Sequence, residues 1–188
     1  MRNFENSCCF TGYRPEKFNF PFKNDCQEYR TFYSRLVTAI SVFIENGCTD
    51  FYCGMAPGFD IIAGEHVALI KKLNKKLRLI GVVPFKGQEE KWSDSWKQRY
   101  YELLKDCDEV ITLNENYTRW CYSQRNQYMV DRSLYVLTYF DGKAGGTKNT
   151  LNYASKHGRN ILNIYETDPL AEQKARYKCK LILIPPEE

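Results

Sequence analysis

A chain of 188 residues with 43% hydrophobic and 27% charged residues has the length and composition of one soluble domain that buries a core without disulfide staples. No apolar run approaches the roughly eighteen residues of a membrane span, and the start MRNFENSCCF lacks a secretory signal core, so a cytoplasmic protein is expected. A net charge of +4, with acids and bases mixed along the chain, suits an anionic ligand and is too mild for a dedicated nucleic-acid binder.

Apolar periodicity predicts alternating strands and helices. A strand at 8–11 runs into the loop Gly12-Tyr13-Arg14-Pro15. Tyr29, Phe32, Tyr33, Leu36, Val37, Ile40, Phe43 and Ile44 then follow helical spacing, and Asn46-Gly47 stops that helix. A strand at 50–53 leads through GMAPGFD into a helix at 60–73, and a third strand at 78–83 ends at Pro84. A helix at 93–105 carries Trp96, Tyr100, Leu103 and Leu104 inward, ahead of a strand at 109–113. A helix at 123–132, a strand at 134–140, a glycine-rich loop at 141–146, a helix closing at His157-Gly158 and a strand at 160–164 complete the alternation. The segment 178–184 is β-prone and ends in Pro-Pro-Glu-Glu, so 166–188 reads as a C-terminal arm or an edge strand. Near-continuously apolar strands separated by helices call for a mostly parallel sheet of six or seven strands, covered on both faces, in one α/β domain.

In such a sheet the strand-to-helix loops emerge at the carboxyl edge, where ligands bind. Three of them are unusual: Thr11 to Arg14, GMAPGFD, and Asp141 to Thr147. Glycine lets a ligand approach backbone, a helix N-terminus offers free N–H groups to phosphate, and Arg14 adds a charged fork. Asp60 suits a ribose hydroxyl or the N-cap of its own helix, Thr147 is a good N-cap, and Gly54 and Gly58 also fit plain tight turns. These alternatives stand side by side at this point. Eight cysteines form no CxxC pair and neither histidine joins them, so reduced thiols, no metal and no cofactor are expected.

Several segments resemble known families. GMAPGFDIIA is similar to the S-G-x-A-x-G-I-D-x-x-A segment of the DNA-processing proteins (DprA/Smf), and Thr11-Gly12-Tyr13-Arg14 to their G-[ST]-R loop. Gly145-Gly146-Thr147 resembles the G-G-x-G-T loop of the LOG phosphoribohydrolases. These families share the SLOG superfamily. TGYRPEKF, GMAPGFD, VPFKGQEEKW, RNQYMVDRS and DGKAGGT, in that order, look like its YpsA-like branch, a bacterial family. The resemblance implies a Rossmann-like three-layer sandwich and a nucleotide-derived ligand, ADP-ribose-like among the options. Gly12, Arg14, Gly54, Ala56, Gly58, Asp60, Gly145, Gly146 and Thr147 would line it. Arg125, Asn126 and Asp131 are further candidates, against the alternative of a helix surface. Where the LOG pattern places a glutamate this chain has Thr150, which cannot ionise, and Glu65 is a substitute acid or a solvated helix residue.

Three functions follow. The first is a nucleotide-binding or sensing protein, the second a hydrolase of N-glycosidic or phosphate bonds in nucleotides. The third is a single-stranded nucleic-acid module using the aromatics at 117–122, which core packing or a lid explains better. The first is favoured, with a nucleotide-derived small molecule as partner, nucleic acid open but not favoured, no membrane, and a homo-oligomer left open.

Overall fold

The computed structural model describes residues 4–165. In chain order the elements are β1 (Ser7–Gly12), α1 (Gln27–Glu45), β2 (Asp50–Cys53), α2 (Phe59–Ile70), β3 (Arg78–Val83) and α3 (Asp94–Asp106). They continue with β4 (Glu109–Thr112), α4 (Cys121–Asp131), β5 (Tyr135–Tyr139), α5 (Gly146–Lys156) and β6 (Asn160–Asn163). The six strands form one parallel sheet in the order β4-β3-β2-β1-β5-β6. This is the α/β, Rossmann-like architecture expected. The candidate arm or seventh strand at 166–188 lies outside the described residues.

The sheet is held from both sides. α1 turns Phe32, Leu36, Ala39, Ile40 and Phe43 onto one face. Each large side chain so buried contributes about 1.5–3 kcal/mol, which outweighs the weak helix preference of aromatic and β-branched residues. α2 and α3 cover the same face through Ile62, Val67, Tyr100 and Leu103, while α4 and α5 cover the other through Met129, Val130, Leu151 and Ala154. β1, β2 and β5 are shielded almost throughout, as apolar runs on central strands should be, whereas edge strand β4 leaves Val110 exposed.

This topology opens a crevice at one edge of the sheet. From β1 the chain steps outward to β4 on one side, and from β5 to β6 on the other, so the strand order reverses between the neighbours β1 and β5. Right-handed crossovers then send their following helices to opposite faces, and a crevice opens at the carboxyl ends of these two strands. Gly12 and Tyr139, paired across them, mark its lower edge.

Candidate functional site

A hollow of about 210 Å³ lies at the carboxyl ends of β1 and β5. Eight of the twelve sequence candidates meet there: Gly12, Arg14, Ala56, Asp60, Arg125, Asn126, Gly146 and Thr147. Gly54, Gly58 and Gly145 do not line it, and Asp131 sits at the end of α4, accepting a hydrogen bond from the Tyr153 hydroxyl at 2.9 Å. Lys17 and Tyr13, which sequence reasoning did not name as site residues, join the lining, as does Tyr122 from the aromatic stretch 117–122. Lys17 comes from the 3-10 turn Pro15–Lys17, too short to show a period. Only the proline at its start hinted that the chain bends back.

The glycines of the first two loops serve the protein itself. A Cβ on Gly12 would lie 2.6 Å from the Cβ of Phe59, and one on Gly54 would run into Arg125 and lie 2.5 Å from Asp60 Oδ2. Gly58, at φ +91°, would place a Cβ against the Tyr13 carbonyl and 3.1 Å from the Pro15 nitrogen. That close approach lets the Phe59 N–H donate to the Tyr13 carbonyl at 3.0 Å, pinning the start of α2 to the β1 loop. The expected approach of a ligand along GMAPGFD is thus filled by protein atoms. Gly58, not Asp60, occupies the N-cap position of α2, and Asp60 lies in the first turn.

Asp60 and Arg125 form the floor. Both are buried, with Arg125 Nη1 3.7 Å from Asp60 Oδ2. Arg125 Nη1 also donates to the Gly54 carbonyl, and its Nε donates to Asn126 Oδ1 at 2.7 Å. Burial pushes Asp60 up to about 6, against the opposing pull of Arg125, Arg14 and the Ala56 N–H. The helix-surface alternative for Arg125 fails because its guanidinium is drawn in by that carboxylate. Asn126 passes the order on: its amide donates to Thr150 Oγ1 at 2.7 Å, and Thr150 donates to the Gly146 carbonyl at 2.9 Å.

The walls are rich in donors without acceptors. The Arg14 side chain makes no hydrogen bond or ion pair with a described residue, and its guanidinium carbon stands 5.9 Å and 5.8 Å from the ring centroids of Trp92 and Tyr122. The aromatic faces hold it in place while its N–H fork stays free. At α5 the first amide used is that of Asn149, donating to the Gly145 carbonyl. The N–H groups of Gly146, Thr147 and Lys148 ahead of it find no acceptor among the described residues, and they carry the positive end of the helix dipole. Thr147 is not the N-cap: it lies one residue inside α5, and its hydroxyl donates to the Gly12 carbonyl at 3.2 Å, tying α5 to β1. The loop before α5 is anchored too. Tyr13 donates to Asp141, and Lys143 pairs with it at 2.7 Å. Burial would raise the Asp141 carboxyl, but Lys143 and then Tyr13 hold it down at about 2.

Comparison with known proteins bears on this crevice. The model of the YspA SLOG family, YpsA, matches residues 8–177. The chain belongs to this SLOG family. The SPbeta prophage-derived protein YoqJ of Bacillus subtilis is 33% identical over 118 residues, covering 56% of this chain and 69% of that protein. A UPF0398 protein of Bacillus velezensis is 27% identical over 149 residues, 78% of this chain and 81% of its own. Among solved structures, DNA processing protein A from Streptococcus pneumoniae superposes with a TM-score of 0.54 at 16% identity, over 85% of this chain and 50% of that one. The same protein from Helicobacter pylori, solved for its single-stranded DNA binding mode, gives 0.56 at 16% identity, over 84% and 64%. The chain therefore spans half to two thirds of these structures, and the likeness is one of fold.

Within this SLOG fold the acidic groups are unevenly placed. Glu65, the substitute acid, is held in a two-pronged pair with Arg99 at 2.7 Å and 2.6 Å between α2 and α3, and it does not line the hollow. Thr150 is buried and neutral, its hydroxyl committed within the Asn126 network. Among the described residues Asp60 is the one carboxylate lining the hollow, together with Arg14, Lys17 and Arg125. The seven described cysteines are free thiols, Cys53 among them beneath the Asp60 carbonyl at 3.2 Å.

Proposed function

We propose that this chain is a single-domain cytoplasmic protein that binds a nucleotide or nucleotide-derived small molecule, its phosphate end seated between β1 and β5. The observation that carries this reading is Arg14: a guanidinium free of protein acceptors that lines the same hollow as Lys17 and the N-terminus of α5. Three cations against one carboxylate among the described residues make the hollow positive, and charge-assisted bonds from a fork and three amides suit a phosphate dianion. Asp60 then accepts from a ribose hydroxyl. Membership of the SLOG family supports the reading, as does the fold shared with a protein that binds single-stranded DNA, a chain of nucleotides. Binding without cleavage is favoured by the neutral Thr150 network, which offers no acid to a leaving base.

The test is thermal stabilisation by AMP, ADP and ADP-ribose. A ligand at 100 times its Kd adds about 2.7 kcal/mol, a rise of about 5–11 °C in Tm for a protein of this size. Arg14→Ala should remove that rise. Absence of stabilisation by all three compounds overturns the reading. One observation favours hydrolysis as a second reading: Asp60, at about 6, sits in the range of a general acid at neutral pH. Free base released from AMP, and lost in Asp60→Asn, decides for it.

A further inference from the structure

The strand-end hollow is small for a whole nucleotide. At about 210 Å³ it falls below the roughly 300–1,000 Å³ of ordinary small-molecule pockets and has room for a phosphate and part of a sugar. A second cavity of about 480 Å³ lies between α4 and α5, and Tyr122, Asn126 and Gly146 line both.

The chemistry of this second cavity is different. From the N-cap of α4 and the helix itself come Trp120, Ser123 and Gln127, and from α5 come Asn149, Tyr153 and Lys156, each set spaced by three or four residues. The carboxamides of Gln127 and Asn149 have no partner among the described residues. A carboxamide offers a donor and an acceptor in one plane, the complement of the N6 and N7 positions of adenine. Trp120 is 57% exposed, with the Arg119 guanidinium 4.3 Å from its ring centroid as its cationic neighbour. An indole beside unpaired carboxamides at the mouth of a phosphate-binding hollow matches a nucleobase, which needs one flat apolar contact and one polar edge. Arg119 and Lys156 are the cations of this lining, too few to follow a phosphodiester backbone, where each phosphate contact draws on a lysine or arginine.

Resting on the reading of the hollow as a phosphate site, we propose that the α4–α5 cavity is the base subsite of the same ligand. A purine ring stacks on Trp120, its edge meets Gln127 and Asn149, and the sugar crosses Tyr122 and Asn126 toward Arg14. The ligand is then at least a complete purine nucleotide.

Calorimetric titration with two probes, ribose 5-phosphate and AMP, tests this. The unmodified protein should bind AMP more tightly than ribose 5-phosphate. Trp120→Ala should weaken AMP by about 5-fold to 150-fold, the loss of one base–aromatic stack, and leave ribose 5-phosphate unchanged. Arg14→Ala should weaken both. If AMP affinity is unchanged in Trp120→Ala and in Gln127→Ala/Asn149→Ala, the base subsite is overturned while the phosphate site stands. If neither probe binds the unmodified protein, the phosphate reading falls and takes the subsite with it. If Trp120→Ala instead weakens steeply salt-dependent binding of a thymidine oligonucleotide while AMP does not bind, the cavity is a nucleic-acid path and the proposal is overturned.

Discussion

Replacing Arg125 by methionine should destabilise the fold severely, and more at high pH than at low. The methionine fills the volume of the arginine stem but strands three oxygens: the Asp60 carboxylate 3.7 Å away, the Gly54 carbonyl and Asn126 Oδ1. Removing one member of a buried pair costs about 3–5 kcal/mol, a large share of the 5–15 kcal/mol by which proteins are usually stable. The pH dependence follows from Asp60. Burial, opposed by Arg125 and Arg14, raises its folded pKa from 3.8 to about 6, so between those values the folded state binds the extra proton. The resulting penalty, about 3 kcal/mol, is complete above pH 6 and disappears as pH falls below 4. Loss of Arg125 pushes the carboxyl higher still. The Arg125→Met deficit should therefore be largest at pH 8 and shrink toward pH 5, whereas Arg125→Met/Asp60→Asn compared with Asp60→Asn alone should show a smaller deficit, flat with pH. Urea denaturation at pH 8, 7 and 5 measures this. A cost below about 1 kcal/mol, or one unchanged with pH, would refute the account of the floor.

Gly58→Ala should lower Tm by about 2–12 °C, because a left-handed φ of +91° and the Tyr13 carbonyl together impose about 1–3 kcal/mol. A Tm within a degree of the original contradicts the pinning of α2 to the β1 loop. Tyr13→Phe removes a donor to Asp141, so its carboxyl, held at about 2, should titrate higher by carbon-detected NMR; an unmoved titration refutes that anchor. Arg99→Ala should cost about 1 kcal/mol or less and leave AMP affinity unchanged, since its pair with Glu65 is partly exposed and outside the hollow. Weakened AMP binding would mean that Glu65 takes part in the site after all.

The fold was legible because local patterns carry it. β2 and β3 fall where the apolar runs ended, and Asn46-Gly47 stops α1, with Gly47 at φ +88°. α2 was read three residues too long because Leu73 looks like a continuation of its stripe. It is in fact 92% exposed, in a turn past the helix end. What was not legible is long-range. Asp60 and Arg125 meet across 65 positions of sequence, and no local spacing announces that Gly54 is small to make room for them. A glycine kept for a neighbouring side chain and one kept for a ligand read alike in sequence, so the glycines of GMAPGFD drew attention to the carboxyl edge while making room for protein atoms there. Arg14 was easier, because an arginine straight after a strand and a glycine has few apolar partners nearby to bury it.

The central claim is that the unpaired amides of α5 and the guanidinium of Arg14 hold a phosphate between β1 and β5. Backbone NMR of the isotope-labelled protein during titration with ADP-ribose tests it most directly. The account predicts saturable shifts at the Gly146, Thr147 and Lys148 amides and at Arg14 Nε–H, all lost in Arg14→Ala. Saturable shifts elsewhere with these four signals unmoved, or no saturable shift at all, would contradict it.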